Sequence, residues 1–342
     1  MTKVETAKIK EVLEKIKAFI PPTNLSLLEE QVYILFRKDG TYITNGFFQL
    51  FYPYVLGEEI IVEGFAFSQI ISKIEDPYIY LQTVEHKLII KTRKIKVEMN
   101  ILLEYPYSLY RNPNDWLKLP NKFSDILRKA KVCVLETVGE PVLSCVFITP
   151  ESIESIDSIR CFIYDLKNNP HEIKESFLIN LDEIKKLILI EPVSFVIKEH
   201  TMFFKNQEGL ILVFPLIKGN FPNTSSLKKN EGVKFVFPLK EVIKAIDRSN
   251  ALIQSIQKNL RWVKITVNSE RIKLKGESSR GVYEEIIEKE NKELTEEIQF
   301  FLTPYLIEEI SDPEENYTSY LTDKTITFLS ENYRYVLALR NL

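Results

Sequence analysis

Residues 6–20 read TAKIKEVLEKIKAFI, and Ile9, Val12, Leu13, Ile16 and Ile20 fall on one face of a helix that Pro21-Pro22 must end. The pattern returns twice: Phe123, Ile126, Leu127, Ala130 and Val134 carry it after Pro120, and Leu239, Val242, Ile243 and Ile246 carry it after Pro238. A shorter helix is predicted roughly 60 residues after each start, at 66–75, 180–189 and 302–310. Between the helices, alternating or β-branched and aromatic stretches read as strands: 31–37, 78–82, 88–97, 142–148, 194–197, 202–205, 210–215, 262–267, 271–275 and 325–329. One unit is therefore helix, strands, helix, strands, with a period of about 115 residues. Three copies, 1–115, 116–228 and 229–342, fill the chain of 342 residues. The expected class is α+β, with two helices on an antiparallel sheet in each copy. Three copies in an arc leave two open ends, which a head-to-tail contact with a second chain satisfies by closing a homodimeric ring.

Composition removes several function classes. Hydrophobic residues are 45% and charged residues 27%, and no apolar run approaches the length that crosses a membrane, so no membrane partner is expected. The first seventeen residues alternate charge with aliphatics and carry no export signal, which points to the cytoplasm. Cys133, Cys145 and Cys161 form no CxxC pair and His86, His171 and His200 share no short spacing with them, so neither a disulfide framework nor a metal site is expected. Ten glycines include no phosphate-cradling loop, no dinucleotide turn and no nucleophile elbow. No carboxylate pair is singled out by its setting, so no catalytic residue, enzyme activity or cofactor is assigned.

Opposite its apolar stripe the first helix presents Lys8, Lys10, Lys15 and Lys17; the second presents Lys122, Arg128, Lys129 and Lys131; the third presents Lys240, Lys244 and Arg248. On one helix alone this is an ordinary solvated face. Its recurrence in all three suits sequence-independent contact with the phosphates of duplex DNA, and a net charge of −3 requires any such contact to use a local basic face. The acidic stretch 284–297, EEIIEKENKELTEE, reads as an edge strand and loop turned away from that face.

At this point the sequence resembles the bacterial β-type DNA sliding clamps over nearly its whole length. Leu216-Ile217-Lys218-Gly219-Asn220-Phe221-Pro222-Asn223 is similar to that family's I-x-G-x-[YF]-P-[DN] signature, and 141–146, 177–180 and 300–306 resemble the family's segments around the second domain's helices and the entry to the last helix. The resemblance implies three DNA-clamp domains per chain and a ring around duplex DNA. It also implies a DNA polymerase and a clamp loader as partners, bound through short linear peptides. The implied peptide pocket comprises Ile156, Ser158, Ile159, Arg160, Cys161, Pro222, Ser226, Leu227, Thr325, Ala338, Leu339, Arg340 and Leu342. Two of its segments depart from the family: T-D-G-H-R-L reads Ile156-Asp157-Ser158-Ile159-Arg160-Cys161, and M-P-M-R-L reads Ala338-Leu339-Arg340-Asn341-Leu342. The dimer contact is expected between Ile95 and Val97 of one chain and Leu252, Ile253 and Ile256 of the other, where an open edge strand needs covering. The rival readings are a DNA-modifying enzyme on the same scaffold, which would need a metal-binding carboxylate cluster, and a β-rich structural or interaction protein, viral ones included, that shares the fold without encircling DNA.

Overall fold

The computed structural model describes residues 1–20, 31–136, 141–253, 261–310 and 316–339. One pattern of elements occurs three times. The first copy runs β1 (Thr2–Glu5), α1 (Thr6–Ile16), β2 (Tyr33–Phe36), β3 (Thr41–Thr44), β4 (Gln49–Tyr52), β5 (Ile60–Glu63), α2 (Gly64–Ser72), β6 (Tyr78–Val84), β7 (Lys87–Lys91) and β8 (Lys96–Asn100). The second runs β9 (Leu117–Lys118), α3 (Phe123–Ala130), β10 (Cys145–Ile148), β11 (Ser152–Ile156), β12 (Arg160–Asp165), β13 (Phe177–Asn180), α4 (Leu181–Ile190), β14 (Ser194–Lys198), β15 (Thr201–Lys205) and β16 (Ile211–Pro215). The third runs β17 (Val233–Phe237), α5 (Leu239–Ile253), β18 (Val263–Val267), β19 (Arg271–Ser278), β20 (Gly281–Glu288), β21 (Ile298–Leu302), α6 (Pro304–Glu308), β22 (Tyr317–Leu321), β23 (Thr325–Leu329) and β24 (Tyr333–Ala338).

Each copy builds two four-stranded antiparallel halves, and four of the six halves fuse edge to edge. The order β5-β2-β3-β4-β16-β15-β14-β9 joins the first copy to the second through β4 and β16, with Phe51 opposite Ile211. The order β13-β10-β11-β12-β24-β23-β22-β17 joins the second copy to the third through β12 and β24, with Cys161 opposite Val336. The two remaining halves, β1-β6-β7-β8 and β20-β19-β18-β21, stay four-stranded, with β8 and β20 at their edges. By contacts the chain forms two compact units, 1–124 with 185–216 and 125–184 with 217–342. Each unit holds one eight-stranded and one four-stranded sheet, and the middle copy contributes one half to each.

Local chemistry explains the helices. The α1 stripe of Ile9, Val12, Leu13 and Ile16 is buried, as its spacing requires. Glu63 caps α2, its carboxylate accepting from the backbone N–H groups of Phe65 (2.9 Å) and Ala66 (2.6 Å). The carbonyl of Pro238 accepts from the N–H groups of Glu241 and Val242, both at 3.0 Å, which starts α5 directly after the proline. No helix among the described residues is long and apolar enough to cross a membrane.

Several expected boundaries move. The stretch 88–97, read as one strand, folds back as β7 and β8, because Thr92 Oγ1 accepts from the N–H groups of Lys94 (3.1 Å) and Ile95 (3.0 Å) and makes a turn. The first part of 142–148 is a turn, with the Cys145 N–H on the Val142 carbonyl, and β10 starts only at Cys145. The last predicted helix shortens to Pro304–Glu308. Strands such as β3 and β4 went unpredicted: their residues are almost all buried and show no alternation of polar and apolar positions. The acidic stretch does open on an edge strand, β20, with Val282 and Ile286 exposed.

Gly232 enters β17 at φ +104°, where a Cβ would lie 2.1 Å from the Leu321 carbonyl oxygen across the strand pair. Gly232→Ala should therefore lower stability by about 1–3 kcal/mol, the cost of a strained backbone position. A urea titration should show a lower midpoint with an unchanged slope.

Candidate functional site

The eleven helix cations divide into two groups. Lys8 pairs with Glu5 (3.1 Å), Lys15 with Glu208 (2.8 Å), Lys17 with Glu14 (3.3 Å), Arg128 with Asp125 and Arg248 with Glu285, while Lys129 lies 4.9 Å from the centre of the Tyr333 ring. Hydrogen bonds to Glu208 and Tyr52 raise the Lys15 ammonium further above its ordinary value, so its charge is permanent. Lys10, Lys122, Lys131, Lys240 and Lys244 make no ion pair among the described residues.

The more specific feature is a pair of equivalent sheet faces that the chain treats differently. On the first eight-stranded sheet the residues Ile61, Leu35, Tyr42, Phe51 and Ile211 stand in register across five strands and form an apolar row. The segment after β8 lies over this face, packing Tyr105, Leu109 and Trp116 against it. Gln49 clasps this strap: its Nε2 donates to the Tyr110 carbonyl (3.0 Å) and its Oε1 accepts from the Tyr110 N–H (2.8 Å).

On the second sheet the corresponding row reads Glu154, Ile163, Arg334 and Leu329, so two charged residues occupy places held by Tyr42 and Ile211 in the first. Beside it Ile156, Cys161 and Val336 form a small apolar floor, touched by Leu227. Burial pushes the Cys161 thiol up to about 12, so it serves here as a neutral apolar group. The segment after β16 is held over this face by polar ties. Glu154, 3% exposed, accepts from Ser152 and Thr224 hydroxyls and pairs with Lys228 Nζ at 2.6 Å. Burial pushes the Glu154 carboxyl up, but the hydrogen bonds from Lys228, Ser152 and Thr224 outweigh it and hold the group below its usual range. A cavity of about 520 Å³ opens beside the floor, between Ile163, Tyr333, Arg334 and Lys228.

The residues expected in the pocket gather on this sheet to differing degrees. Ile156, Cys161 and Leu227 meet at the floor. Ile159, Thr325, Ala338 and Leu339 share one end of the sheet: the Ala338 N–H donates to the Ile159 carbonyl (2.8 Å), Thr325 pairs with Ala338, and the Leu339 N–H donates to Lys324 (2.7 Å). Ser158, Pro222 and Ser226 are exposed. Arg160, expected as a rim donor, instead engages Asp157 through Nε (2.8 Å) and Glu309 through Nη1, with its side chain only 10% exposed. Glu154, Ile163, Val336 and Arg334 were not among the expected residues, although Glu154 stands two residues from Ile156, Ile163 two from Cys161, and Val336 and Arg334 two and four from Ala338, so a period of two along each strand reaches them all.

Of the residues expected at a dimer contact, Ile95 is 38% exposed in the β7–β8 turn and Val97 lies on β8. Leu252 sits 3.9 Å from a Cβ built at Gly281, the first residue of β20. Ile253 is 1% exposed and belongs to the core of its own copy. Ile256, Arg340 and Leu342 lie outside the described residues.

No protein-family model and no curated protein sequence matches the chain. Solved structures do. The DNA polymerase III beta chain of Streptococcus pneumoniae matches at a TM-score of 0.85 with 14% identity, over 99% of both chains. The DNA polymerase sliding clamp of Bacillus subtilis matches at 0.81 with 17% identity, over 99% of this chain and 98% of that one. The Helicobacter pylori beta clamp, solved bound to a DNA ligase peptide, matches at 0.82 with 16% identity over 99% of both. This chain has the sliding-clamp fold. The clamp fold extends over all three copies of the element pattern, so the repeat read from the first helix is three tandem clamp domains.

Glu154 is the keystone of the second face, and its depressed pKa fixes the sign of its pH dependence. The carboxylate contributes stability above the usual glutamate range, near pH 4.3, and that contribution is lost as pH falls through its lower folded value. The melting temperature of Glu154→Gln should fall below that of the unaltered protein at pH 7, and the gap should close on acidification below about pH 4.

Proposed function

We propose that the chain is a DNA sliding clamp, a non-enzymatic tether that closes around duplex DNA as a head-to-tail homodimer and holds a DNA polymerase for processive synthesis in the cytoplasm. Its domains would be 1–115, 116–228 and 229–342. The observation that carries this reading is the pair of open strand edges. Within the chain β4 of the first copy joins β16 of the second, and β12 of the second joins β24 of the third. The same rule applied once more joins β20 of the third copy to β8 of a first copy, and a second chain supplies that partner for each edge. Ile95, Val97 and Leu252 would supply apolar contact at the joint, and Lys96 on β8 and Glu284 and Glu285 on β20 could add opposite charge only by exchanging their present partners Glu98, Lys273 and Arg248. Such a contact is heterologous, so only a rotation that closes limits it to two chains.

The helix cations fit this reading because attachment by topology needs only weak, sequence-independent phosphate contact. Lys10, Lys122, Lys131, Lys240 and Lys244 are the ones ready for phosphates, and the ion-paired ones would have to exchange partners. The floor of Ile156, Cys161, Leu227 and Val336 would receive short peptides of the polymerase and of a separate loader, which must supply ring opening because the sequence carries no nucleotide-binding loop.

Light scattering at micromolar concentration should give about twice the chain mass of 40.0 kDa. Once loaded, the protein should stay on nicked circular DNA and leave when the circle is cut. A strictly monomeric protein, or one that leaves circles and linear DNA equally fast, sinks the proposal. Leu227→Ala should weaken polymerase binding about tenfold without changing the dimer, because one anchor contact at a small apolar floor is lost. Surface plasmon resonance on the polymerase checks this.

A further inference from the structure

The two helices of the first copy, α1 and α2, enclose between them a groove of about 440 Å³. From α1 and the turn that follows it come Lys10, Leu13, Glu14 and Lys17, and from α2 come Phe65, Ser68 and Gln69, each set at the i, i+3, i+4 spacing of a single helix face. Leu13, Ile20 and half-buried Phe65 make the floor apolar. The α2 wall is neutral and offers hydrogen bonds. Gln69 is exposed, with an amide that both donates and accepts, and the Ser68 hydroxyl, enclosed in this wall, has no hydrogen-bond partner.

The α1 wall is cationic. Lys10 makes no ion pair among the described residues, and Lys17 pairs with Glu14 at 3.3 Å, an exposed pair that exchanges for another anion at little cost. Two ammonium groups against one carboxylate leave the wall positive. Lys10 and Lys17 are seven residues apart, about 10 Å along a helix axis, and Leu13 lies between them. The groove therefore presents positive charge on either side of an apolar floor.

Cation, apolar face, cation is the order that meets phosphate, base, phosphate along a nucleic-acid strand. A free mononucleotide carries its phosphate on one side of the base alone. In a duplex both faces of each base are stacked on its neighbours, so an apolar floor gains nothing from it. An unpaired base keeps a face free, and stacking on an aromatic ring such as Phe65 is open to every base because each has a π-face.

We infer that the α1–α2 groove of the first copy seats one unstacked base of single-stranded DNA, with the flanking phosphates on Lys10 and Lys17. This rests on the reading of α1 as DNA-facing and goes beyond it, since sequence-independent phosphate contact needs no apolar floor. A ring with such a seat would pass freely along duplex and pause where the template becomes single-stranded.

The test uses the full chain and three fluorescein-labelled DNAs: a twelve-nucleotide thymidylate strand, the same backbone with abasic sites throughout, and a hairpin duplex. Anisotropy should show about tenfold tighter binding of the thymidylate strand than of the abasic strand or the duplex, although the two strands carry the same phosphates. Phe65→Ala should remove that preference and leave the affinity for the abasic strand unchanged, which also shows that the variant is folded. Phe65→Leu, which keeps an apolar side chain in place, should remove most of it, and Phe65→Trp should keep it. Retention of the loaded ring on nicked duplex circles should be the same in all three variants. Equal affinity for the thymidylate and abasic strands, or a preference that survives in Phe65→Ala, overturns the inference. Displacement of the strand by free thymidine monophosphate at equal nucleotide concentration would make the groove a small-molecule site and overturn it as well. A protein that binds no strand but stays on nicked circles overturns the inference alone, whereas one that also leaves the circles removes the DNA-facing reading and the inference with it.

Discussion

A four-stranded antiparallel sheet leaves a row of N–H and C=O groups unpaired along each edge, and in this chain those rows are joined to one another. Each backbone hydrogen bond at a junction adds only about 0.5–1.5 kcal/mol net, but leaving a buried group unpaired costs more. The joints β4–β16 and β12–β24 therefore determine which copy lies beside which, and which side chains meet across the seam. They bring Phe51 to Ile211 in one sheet and Ile163 to Arg334 in the other, residues far apart in the chain. Both candidate faces exist only because of these joints.

The helices were legible because a stripe such as Ile9, Val12, Leu13 and Ile16 has one periodic solution. The threefold repeat followed from them, and so did the outline of the fold. The strands that carry the faces were much less visible. β3 and β4 are buried on both sides, so their sequences do not alternate. Tertiary partners were harder still: nothing near Arg160 in sequence announces that Glu309 will hold its guanidinium, and nothing near Leu227 announces Arg334. The floor residues Cys161 and Leu227 came from a family resemblance, whereas the charged pair Glu154 and Arg334 became visible only once register placed them against Tyr42 and Ile211.

The repeat supplies two sheet faces of the same construction, each crossed by the segment that links one copy to the next. Tyr105, Leu109 and Trp116 fill the first face with aromatic and aliphatic bulk and cover its apolar row. On the second face Phe221 stacks on Phe147 and Leu227 touches the floor, while the covering segment is held by Glu154 and by Arg334 at its margins. Polar ties at the margin position a segment without occupying the centre, which is why a cavity remains.

The clasp on the first face has a chemical consequence of its own. The Gln49 side chain meets both the N–H and the C=O of Tyr110, as a neighbouring strand would, so one amide substitutes for a rung of β-ladder. Its two ends are not interchangeable, since Oε1 must accept and Nε2 must donate. Hydrolysis of this amide during ageing would leave a carboxylate facing the Tyr110 carbonyl, two acceptors with no proton between them. Deamidation at a single position would thus loosen the strap and uncover an apolar surface that the intact protein keeps closed.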